Sequence, residues 1–376
     1  MGSFSSELVE ALTKFSSNLS LEGISTLRAA RVALSHGQKT STVNEWYRSQ
    51  RLVLVLGAGA SAAYGLPDWN TLLQKLLLIT LEPDEEEANA GAVEKAGLLA
   101  KTFSQVFEPN SLIAARYLHE HFKKKNPKSK LAFENAIRDA LYANLKDGEQ
   151  SELLKEVRQF CIAPGRSPNL DSIITYNYDD LIEQCLQGIA VDIPFAPIYA
   201  RGMKSGNHEL PIYHVHGYLP RKGQLTSKNT VTLSEDGYHQ QYNDVYGWSN
   251  LTQINKFKDY NCLFIGLSFS DPNLRRLLDI AKNERGDNEV HHYCFRRRHK
   301  PSDVSERLQK LVMENDGVLD DDGAAAMEVD DLVPELIKLM EQFEENDALS
   351  FGVGIIWLDS YDEIPTILRK IRLGER

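Results

Sequence analysis

Residues 52–61 have the sequence LVLVLGAGAS, in which five apolar residues run without interruption into a glycine turn. An apolar run of this length is typical of a strand buried on both faces of a parallel sheet. Glycines placed there let the backbone approach a pyrophosphate, whose charge is met by amide groups at a helix N-terminus. The candidate cofactor-binding residues of this turn are Gly57, Ala58, Gly59 and Ser61. Alone the pattern is weak, because a tight turn without a ligand has the same glycines.

The segment after the glycine turn predicts an interrupted first helix. Gly65-Leu66-Pro67-Asp68-Trp69 stands where a standard nucleotide-binding fold would continue its helix, and Pro67 with Asp68 offers a turn and a cap. Glu82 lies at the distance of a dehydrogenase's ribose-binding acid, but the third glycine of that pattern is missing. A loop folding over a bound cofactor fits better, which makes Pro67, Asp68 and Trp69 candidate cofactor contacts.

Strand signals return at five further places, most of them separated by helical patterns: residues 172–175, 212–215, 262–265, 290–295 and 353–358. This alternation predicts an α/β protein with a doubly wound, mostly parallel Rossmann-like sheet. Apolar residues spaced by three and four predict a helical N-terminal extension over residues 1–45. The main domain is expected over 46–376, with the charged stretch 82–165 as a helical insertion.

Composition excludes several classes of protein. The chain of 376 residues has a formal net charge of -11, so we expect no direct nucleic-acid binding by phosphate neutralisation. No apolar run approaches the ~18 residues of a membrane span and no signal peptide is evident, which predicts a cytoplasmic protein without membrane contact. The four cysteines form no C-x-x-C pair, so no zinc knuckle is expected.

The second motif, TYNYDD at residues 175–180, follows the apolar pair Ile173-Ile174. Ligands of open α/β sheets bind at the carboxyl ends of strands, so Asn177 is expected at the crevice, with Thr175 beside it. The amide of Asn177 can both donate and accept a hydrogen bond. Asp179 fits a ligand contact and a helix cap or first-turn acid equally well.

The third motif is His214-Val215-His216-Gly217. Period-two alternation predicts that His214 and His216 share one face of a strand. A lone histidine at a strand end is usually structural, whereas two on one face followed by a glycine favour a working imidazole. A metal site is the competing interpretation, but no third ligand is suggested by spacing.

The fourth motif is GLSFSDP at residues 266–272. Asp271 before Pro272 fits a helix cap with proline at the first helical position. Gly266, Ser268 and Asp271 nevertheless lie where a dinucleotide's ribose or phosphate would be reached, after another strand. All three are therefore candidate cofactor contacts.

Taken together, GAGASAAYGLPDW, TYNYDD, HVHG and GLSFSDPNL, in this order, resemble the sirtuin-like NAD-hydrolase domain family of bacterial antiphage defence systems. The resemblance covers roughly residues 51–278, and the strand near 352–358 also fits. It implies that the glycine turn binds NAD, that Asn177 positions the nicotinamide ribose or the attacking water, and that His216 is the base. NAD is then the substrate, with no metal required.

One departure from the wider family narrows the expected activity. Protein-deacylating sirtuins usually carry two C-x-x-C pairs for a structural zinc, and this chain has none. Hydrolysis of NAD to nicotinamide and ADP-ribose is therefore expected instead of deacylation. The resemblance further implies defence by NAD depletion, with activity silent until a phage signal or a partner relieves it.

Two other functions remain open at this point: a non-catalytic subunit that senses NAD or ADP-ribose, and a scaffold subunit of a defence complex. A sensor would need the glycine turn but not the pair Asn177 and His216, which favours the enzyme. Regulation is expected to come from a homo-oligomer or from a complex with a genomically adjacent defence protein.

Overall fold

The computed structural model describes residues 35–81, 111–146, 151–162, 170–187, 193–287, 289–314 and 329–375. Within these residues seven strands form one sheet in the order β3-β4-β2-β1-β5-β6-β7, and every neighbouring pair is parallel. The predicted Rossmann-like α/β fold is confirmed. The strands are β1 Leu52–Leu56, β2 Leu170–Thr175, β3 Phe195–Ile198, β4 Leu210–His214, β5 Asn261–Ile265, β6 His292–Arg297 and β7 Val353–Leu358.

Helices connect the strands and cover both faces of the sheet. In the described part of the chain they are α1 His36–Arg48, α2 Trp69–Leu81, α3 Ser111–Lys125, α4 Ala132–Tyr142, α5 Glu152–Cys161, α6 Leu181–Leu186, α7 Glu235–Asn243, α8 Trp248–Asp259, α9 Pro272–Arg285, α10 Pro301–Glu314, α11 Val329–Ser350 and α12 Ile364–Leu373.

The core has a layer on each face of the sheet. Side chains alternate along β1, so Leu52, Leu54 and Leu56 enter one apolar cluster while Val53 and Val55 enter the other. All five are fully buried. The apolar run of β1 is uninterrupted because this central strand is covered by helices on both faces, as the sequence predicts.

Parallel register brings the carboxyl ends of four strands to one level. Leu56 pairs with Thr175 of β2 and with Ile265 of β5, and Thr175 pairs with His214 of β4. After β1 the chain builds β2, β4 and β3 on one side, and β5, β6 and β7 on the other. The strand order thus reverses at β1, which is where open α/β sheets hold their ligands.

The helices of the predicted insertion pack in two places. Helices α3 and α4 pack with α2 in a third apolar cluster that includes Leu76, Ala115 and Ile137. Helix α5 instead packs against α6 and α12 in the main core. Residues 1–34 and 82–110 of the predicted extension and insertion lie outside the described residues, so the proposed domain division stays a prediction.

Candidate functional site

The glycine turn and the segment after β5 approach each other through their backbones. The N–H of Gly59 donates to the carbonyl oxygen of Gly266 at 3.0 Å. Gly266 has a φ of +69°, and a Cβ built there would lie 2.6 Å from the nitrogen of Ala60. A Cβ at Gly57 would meet the carbonyl oxygen of Gly266 at 2.6 Å. These glycines are needed because two loop backbones touch here.

Asn177 is joined to the glycine turn by its side chain. Its Nδ2 donates to the carbonyl oxygen of Gly57 and to the Oγ of Ser61, both at 3.0 Å. A backbone carbonyl can only accept, which fixes the orientation of the amide. The backbone N–H of Asn177 also donates to Thr175 Oγ1 at 3.1 Å. Asn177 lies at the carboxyl end of β2, as the sequence predicts, and is only 8% exposed.

Asp179 extends this hydrogen-bond network. Ser61 Oγ donates to Asp179 Oδ2 at 2.9 Å, and the N–H of Leu181 donates to Oδ1 at 3.1 Å. Burial raises the pKa of Asp179 to about 6, although both hydrogen bonds act in the opposite direction. The carboxylate therefore contacts the first turn of α6, as one sequence interpretation held, and it also supports the Ser61 hydroxyl that holds Asn177.

His216 lies beyond the end of β4 and is 6% exposed. Its Nε2 is 3.4 Å from Asp271 Oδ2, yet the two atoms do not form a hydrogen bond. The ring of Tyr176 contacts it edge-on, with centroids 4.7 Å apart. Burial lowers the pKa of His216, and the nearby Asp271 carboxylate partly opposes that shift. The imidazole is consequently neutral near pH 7.

The side chain of Asp271 accepts two hydrogen bonds, and neither comes from His216. Its Oδ1 accepts the N–H of Leu274 at 2.6 Å, which confirms the predicted cap of α9 with Pro272 in the first turn. Its Oδ2 accepts the hydroxyl of Tyr238 at 2.5 Å. Sequence reasoning missed Tyr238, which lies on α7, 33 residues away, in a segment without a motif. These two hydrogen bonds fix the Asp271 carboxylate at the start of α9, close to the imidazole of His216.

Residues 171–316 match the model of a protein family described as the SIR2-like domain. The expected sirtuin-like resemblance is confirmed. This match covers β2 to α10, and so includes three of the four sirtuin-like motifs, TYNYDD, HVHG and GLSFSDPNL. The glycine turn after β1 precedes the matched segment, but it is joined to it through Asn177 and Gly266.

Three relatives are named NAD(+) hydrolase ThsA. The protein from Enterococcus faecium is 24% identical over 256 residues, which are 68% of this chain and 46% of the relative. Those from Acinetobacter baumannii (strain 532279) and Cytobacillus dafuensis are 25% and 24% identical, over 52% and 64% of this chain. The chain matches 35% and 40% of those two proteins, so it spans less than half the length of each of the three relatives.

The segment between β1 and α2 is interrupted, as the sequence predicts. Two 3-10 turns, Ala58–Ala60 and Ala62–Tyr64, lead to Gly65 at a φ of +78°. Asp68 is exposed, and its Oδ1 accepts the N–H of Thr71 at 2.8 Å, so it caps α2. Trp69 packs on the α2–α3–α4 cluster and its Nε1 is buried without a partner among the described residues. Pro67 is half-buried.

His214 and His216 have different surroundings. His214, the last residue of β4, is fully buried; its Nε2 lies 2.7 Å from Glu183 Oε1 and its Nδ1 lies 3.3 Å from the carbonyl oxygen of Asn177. Glu183, on α6, is 4% exposed. The sequence did not identify this acid, since its only signal was a position in the first turn of a short helix.

Ser268 lies at the outer edge of the site. It is exposed, and its Oγ is 2.6 Å from that of Ser270. Its carbonyl oxygen accepts a hydrogen bond from Arg296 Nη2 at 2.6 Å. Ser268 is thus brought to the same sheet edge as Gly266 but is not joined to Asn177 or His216 by any hydrogen bond in the described residues.

Neither of two surface depressions is lined by a candidate site residue. One, of about 440 Å³, is lined by Arg51, Lys258, Asp259, Tyr260, Asn261 and His291, and the other, of about 340 Å³, by Arg138, Asp139, Tyr142, Ala143, Arg221 and Gly223. The first lies near the amino-terminal ends of β1 and β5, whereas the glycine turn follows the carboxyl end of β1. Among the described residues no cluster of three or more His, Cys, Asp or Glu side chains is suited to a metal, and no helix is long and apolar enough to cross a membrane.

Proposed function

We propose that this chain hydrolyses NAD to nicotinamide and ADP-ribose. The observation that carries the proposal is the convergence of Asn177 and His216 on the edge of the sheet that holds the glycine turn, with Asn177 hydrogen-bonded to that turn. The similarity to three proteins named NAD(+) hydrolase ThsA supports NAD as the substrate.

In this proposal Asn177 orients the attacking water. Its Nδ2 donates hydrogen bonds to Gly57 and Ser61, which leaves Oδ1 to accept a hydrogen bond from the water. Cleavage of the nicotinamide–ribose bond spreads positive charge over the ribose, and a held water on the open face captures that cation. Thr175, Ser61 and Asp179 act through Asn177, because they hold its backbone and side chain.

His216 supplies the base. Its lowered pKa keeps the imidazole neutral near pH 7, so it can take a proton from the water or from a ribose hydroxyl. General-base catalysis of this kind contributes on the order of 10²- to 10⁴-fold in rate. Asp271 lies 3.4 Å from Nε2 and stabilises the imidazolium that forms.

The cofactor contacts are proposed along the same edge. The exposed residues Ala58 and Gly59 would face the pyrophosphate, while Gly266, Ser268 and Asp271 would line the ribose side. We further propose that Pro67, Asp68 and Trp69 form the loop bordering the bound nucleotide. The hydrogen bond of Asp68 to α2 and the packing of Trp69 on the α2–α3–α4 cluster would hold that loop in place.

We also propose a role in antiphage defence by NAD depletion. The family resemblance supports this role, and it supports control of the activity by self-assembly or by a genomically adjacent protein. The greater length of the ThsA relatives is compatible with such control, since much of each relative has no counterpart in the matched region.

Product analysis tests the proposed reaction. The purified chain, alone and with the protein encoded beside it, is incubated with NAD, and nicotinamide and ADP-ribose are quantified. Equal amounts of both products in either condition support hydrolysis. Binding of NAD without either product in both conditions would instead favour the non-catalytic sensing subunit.

A further inference from the structure

The backbone of Asn177 is held by a buried contact with His214, which has no part in the proposed chemistry. The carbonyl oxygen of Asn177 lies 3.3 Å from His214 Nδ1, and His214 Nε2 lies 2.7 Å from Glu183 Oε1. We propose that His214 and Glu183 are a buried pair of positioning residues that fixes the backbone of Asn177 for NAD cleavage. The kinetic part of this inference rests on the proposed function.

The pair spans the whole turn between β2 and α6. His214 pairs in the sheet with Thr175, the last residue of β2, and Glu183 lies on α6, which follows the turn. The His214 residue is therefore paired with the end of β2, and its imidazole contacts both the Asn177 peptide and α6. The ring of Tyr218 packs against it, with centroids 4.3 Å apart, and limits its rotation.

Hydrogen-bond chemistry determines the roles of the two imidazole nitrogens. The carbonyl oxygen of Asn177 can only accept a hydrogen bond, so His214 Nδ1 carries a proton and donates the hydrogen bond. Nε2 then shares a proton with Glu183 Oε1, whichever of the two atoms holds it. The second oxygen, Glu183 Oε2, is buried and has no hydrogen-bond partner among the described residues. His214 is consequently the hydrogen-bonding side chain on which this carboxyl group depends.

A fixed Asn177 peptide matters because the side chain has little freedom of its own. Nδ2 must reach Gly57 and Ser61 at 3.0 Å while Oδ1 faces the proposed water. If the peptide rotates, both requirements cannot be met together. A displacement of about 1 Å at a reacting centre can cost on the order of 10²-fold in rate. The pair thus acts on catalysis by way of Asn177, without touching NAD.

Two substitutions at Glu183 separate positioning from bulk packing. Glu183→Gln keeps the link, since the glutamine amide donates to Nε2 while Nδ1 still donates to Asn177. Glu183→Leu has a similar size but cannot hydrogen-bond. We expect Glu183→Leu to lower kcat for nicotinamide release by about tenfold or more with KM for NAD within about threefold, and Glu183→Gln to stay within about threefold of wild type. Equal kcat values for Glu183→Leu and wild type would overturn the proposal.

Hydrogen–deuterium exchange gives a readout that does not need catalysis. The peptide covering residues 176–181 is expected to exchange faster in Glu183→Leu than in wild type or Glu183→Gln, with the β5 peptide unchanged as an internal control. If Glu183→Leu does not fold, the double variant Glu183→Leu/His214→Leu replaces it, because exchanging a whole buried polar pair for apolar residues is often tolerated. Unchanged exchange in the folded variant would overturn the proposal.

The two readouts also separate this inference from the proposed function. A wild-type protein that releases no nicotinamide, alone or with its neighbour, would refute NAD cleavage. The exchange comparison would still determine whether His214 and Glu183 fix the Asn177 turn. Faster exchange with an unchanged kcat in Glu183→Leu would refute the catalytic part of the inference, because a more mobile Asn177 turn would then cleave NAD as fast as the wild-type turn.

Discussion

Asn177 Nδ2 lies 3.0 Å from the carbonyl oxygen of Gly57, so the segment after β2 is hydrogen-bonded to the turn after β1. The two residues are separated by 120 positions in the sequence. Their contact follows from parallel register, because Leu56 and Thr175 are paired at the ends of the two strands. The proposed water-orienting group and the proposed nucleotide turn therefore form one hydrogen-bonded unit.

The first prediction concerns the backbone contact at Gly266. Gly266→Ala adds a Cβ 2.6 Å from the Ala60 nitrogen at a φ of +69°. Gly286 has nearly the same φ, +71°, but open space around it, so Gly286→Ala is the matched control. We expect about 1 kcal/mol of lost stability in the control, from the left-handed backbone alone. Gly266→Ala should cost about 1–3 kcal/mol more, as overpacking does. Equal urea-unfolding free energies for the two variants would contradict the close approach.

The second prediction concerns the pH dependence of stability. Burial raises the pKa of Asp179 from its ordinary 3.8 to about 6, so its contribution is fully present below pH 3.8 and is lost as pH rises through 6. From about pH 8 to about pH 5, wild type should gain on the order of 1 kcal/mol of unfolding free energy relative to Asp179→Asn. Asp139→Asn, at an exposed carboxylate on α4, is the control. A difference that does not change with pH would refute the burial effect.

The third prediction concerns the acid limb of the proposed NAD cleavage. Burial lowers the pKa of His216 while the Asp271 carboxylate raises it. Removing that charge in Asp271→Asn should therefore lower the pKa further and move the loss of kcat/KM to a lower pH. Asparagine remains a good helix cap, so α9 should be preserved. Asp279→Asn, exposed on the same helix, should leave the profile unchanged. An acid limb that does not move, or that moves to higher pH, would argue against His216 as the base.

Most of the sheet could be predicted because its strands are apolar runs followed by glycine or polar turns. The strand β3, Phe195–Ile198, was missed, since it is short, lies at the edge of the sheet and contains Pro197. Proline is tolerated at an edge, where one side of the ladder is unpaired. The strand β6 was predicted two residues early because it ends in Arg296 and Arg297, whose guanidinium groups lie over the rings of Phe269 and Tyr361.

The candidate site could be predicted in outline, because ligand-binding residues of such sheets follow the carboxyl ends of strands. Asn177, His216 and Asp271 were found in this way. Their partners Glu183 and Tyr238 were not, because no spacing rule links them to the histidines or to Asp271. Those contacts depend on how α6 and α7 pack over the strand ends, which a local pattern does not encode.

Nicotinamide release tests most directly whether Asn177 and His216 carry the cleavage of NAD. Initial rates are measured for wild type, Asn177→Ala and His216→Ala under the condition in which wild type is active. The control variants are Asn243→Ala and His239→Ala, whose side chains are exposed on α7. We predict a loss on the order of 10²-fold or more in the first two variants and rates near wild type in the controls. Cleavage within a few-fold of wild type in folded Asn177→Ala or His216→Ala would contradict the assignment.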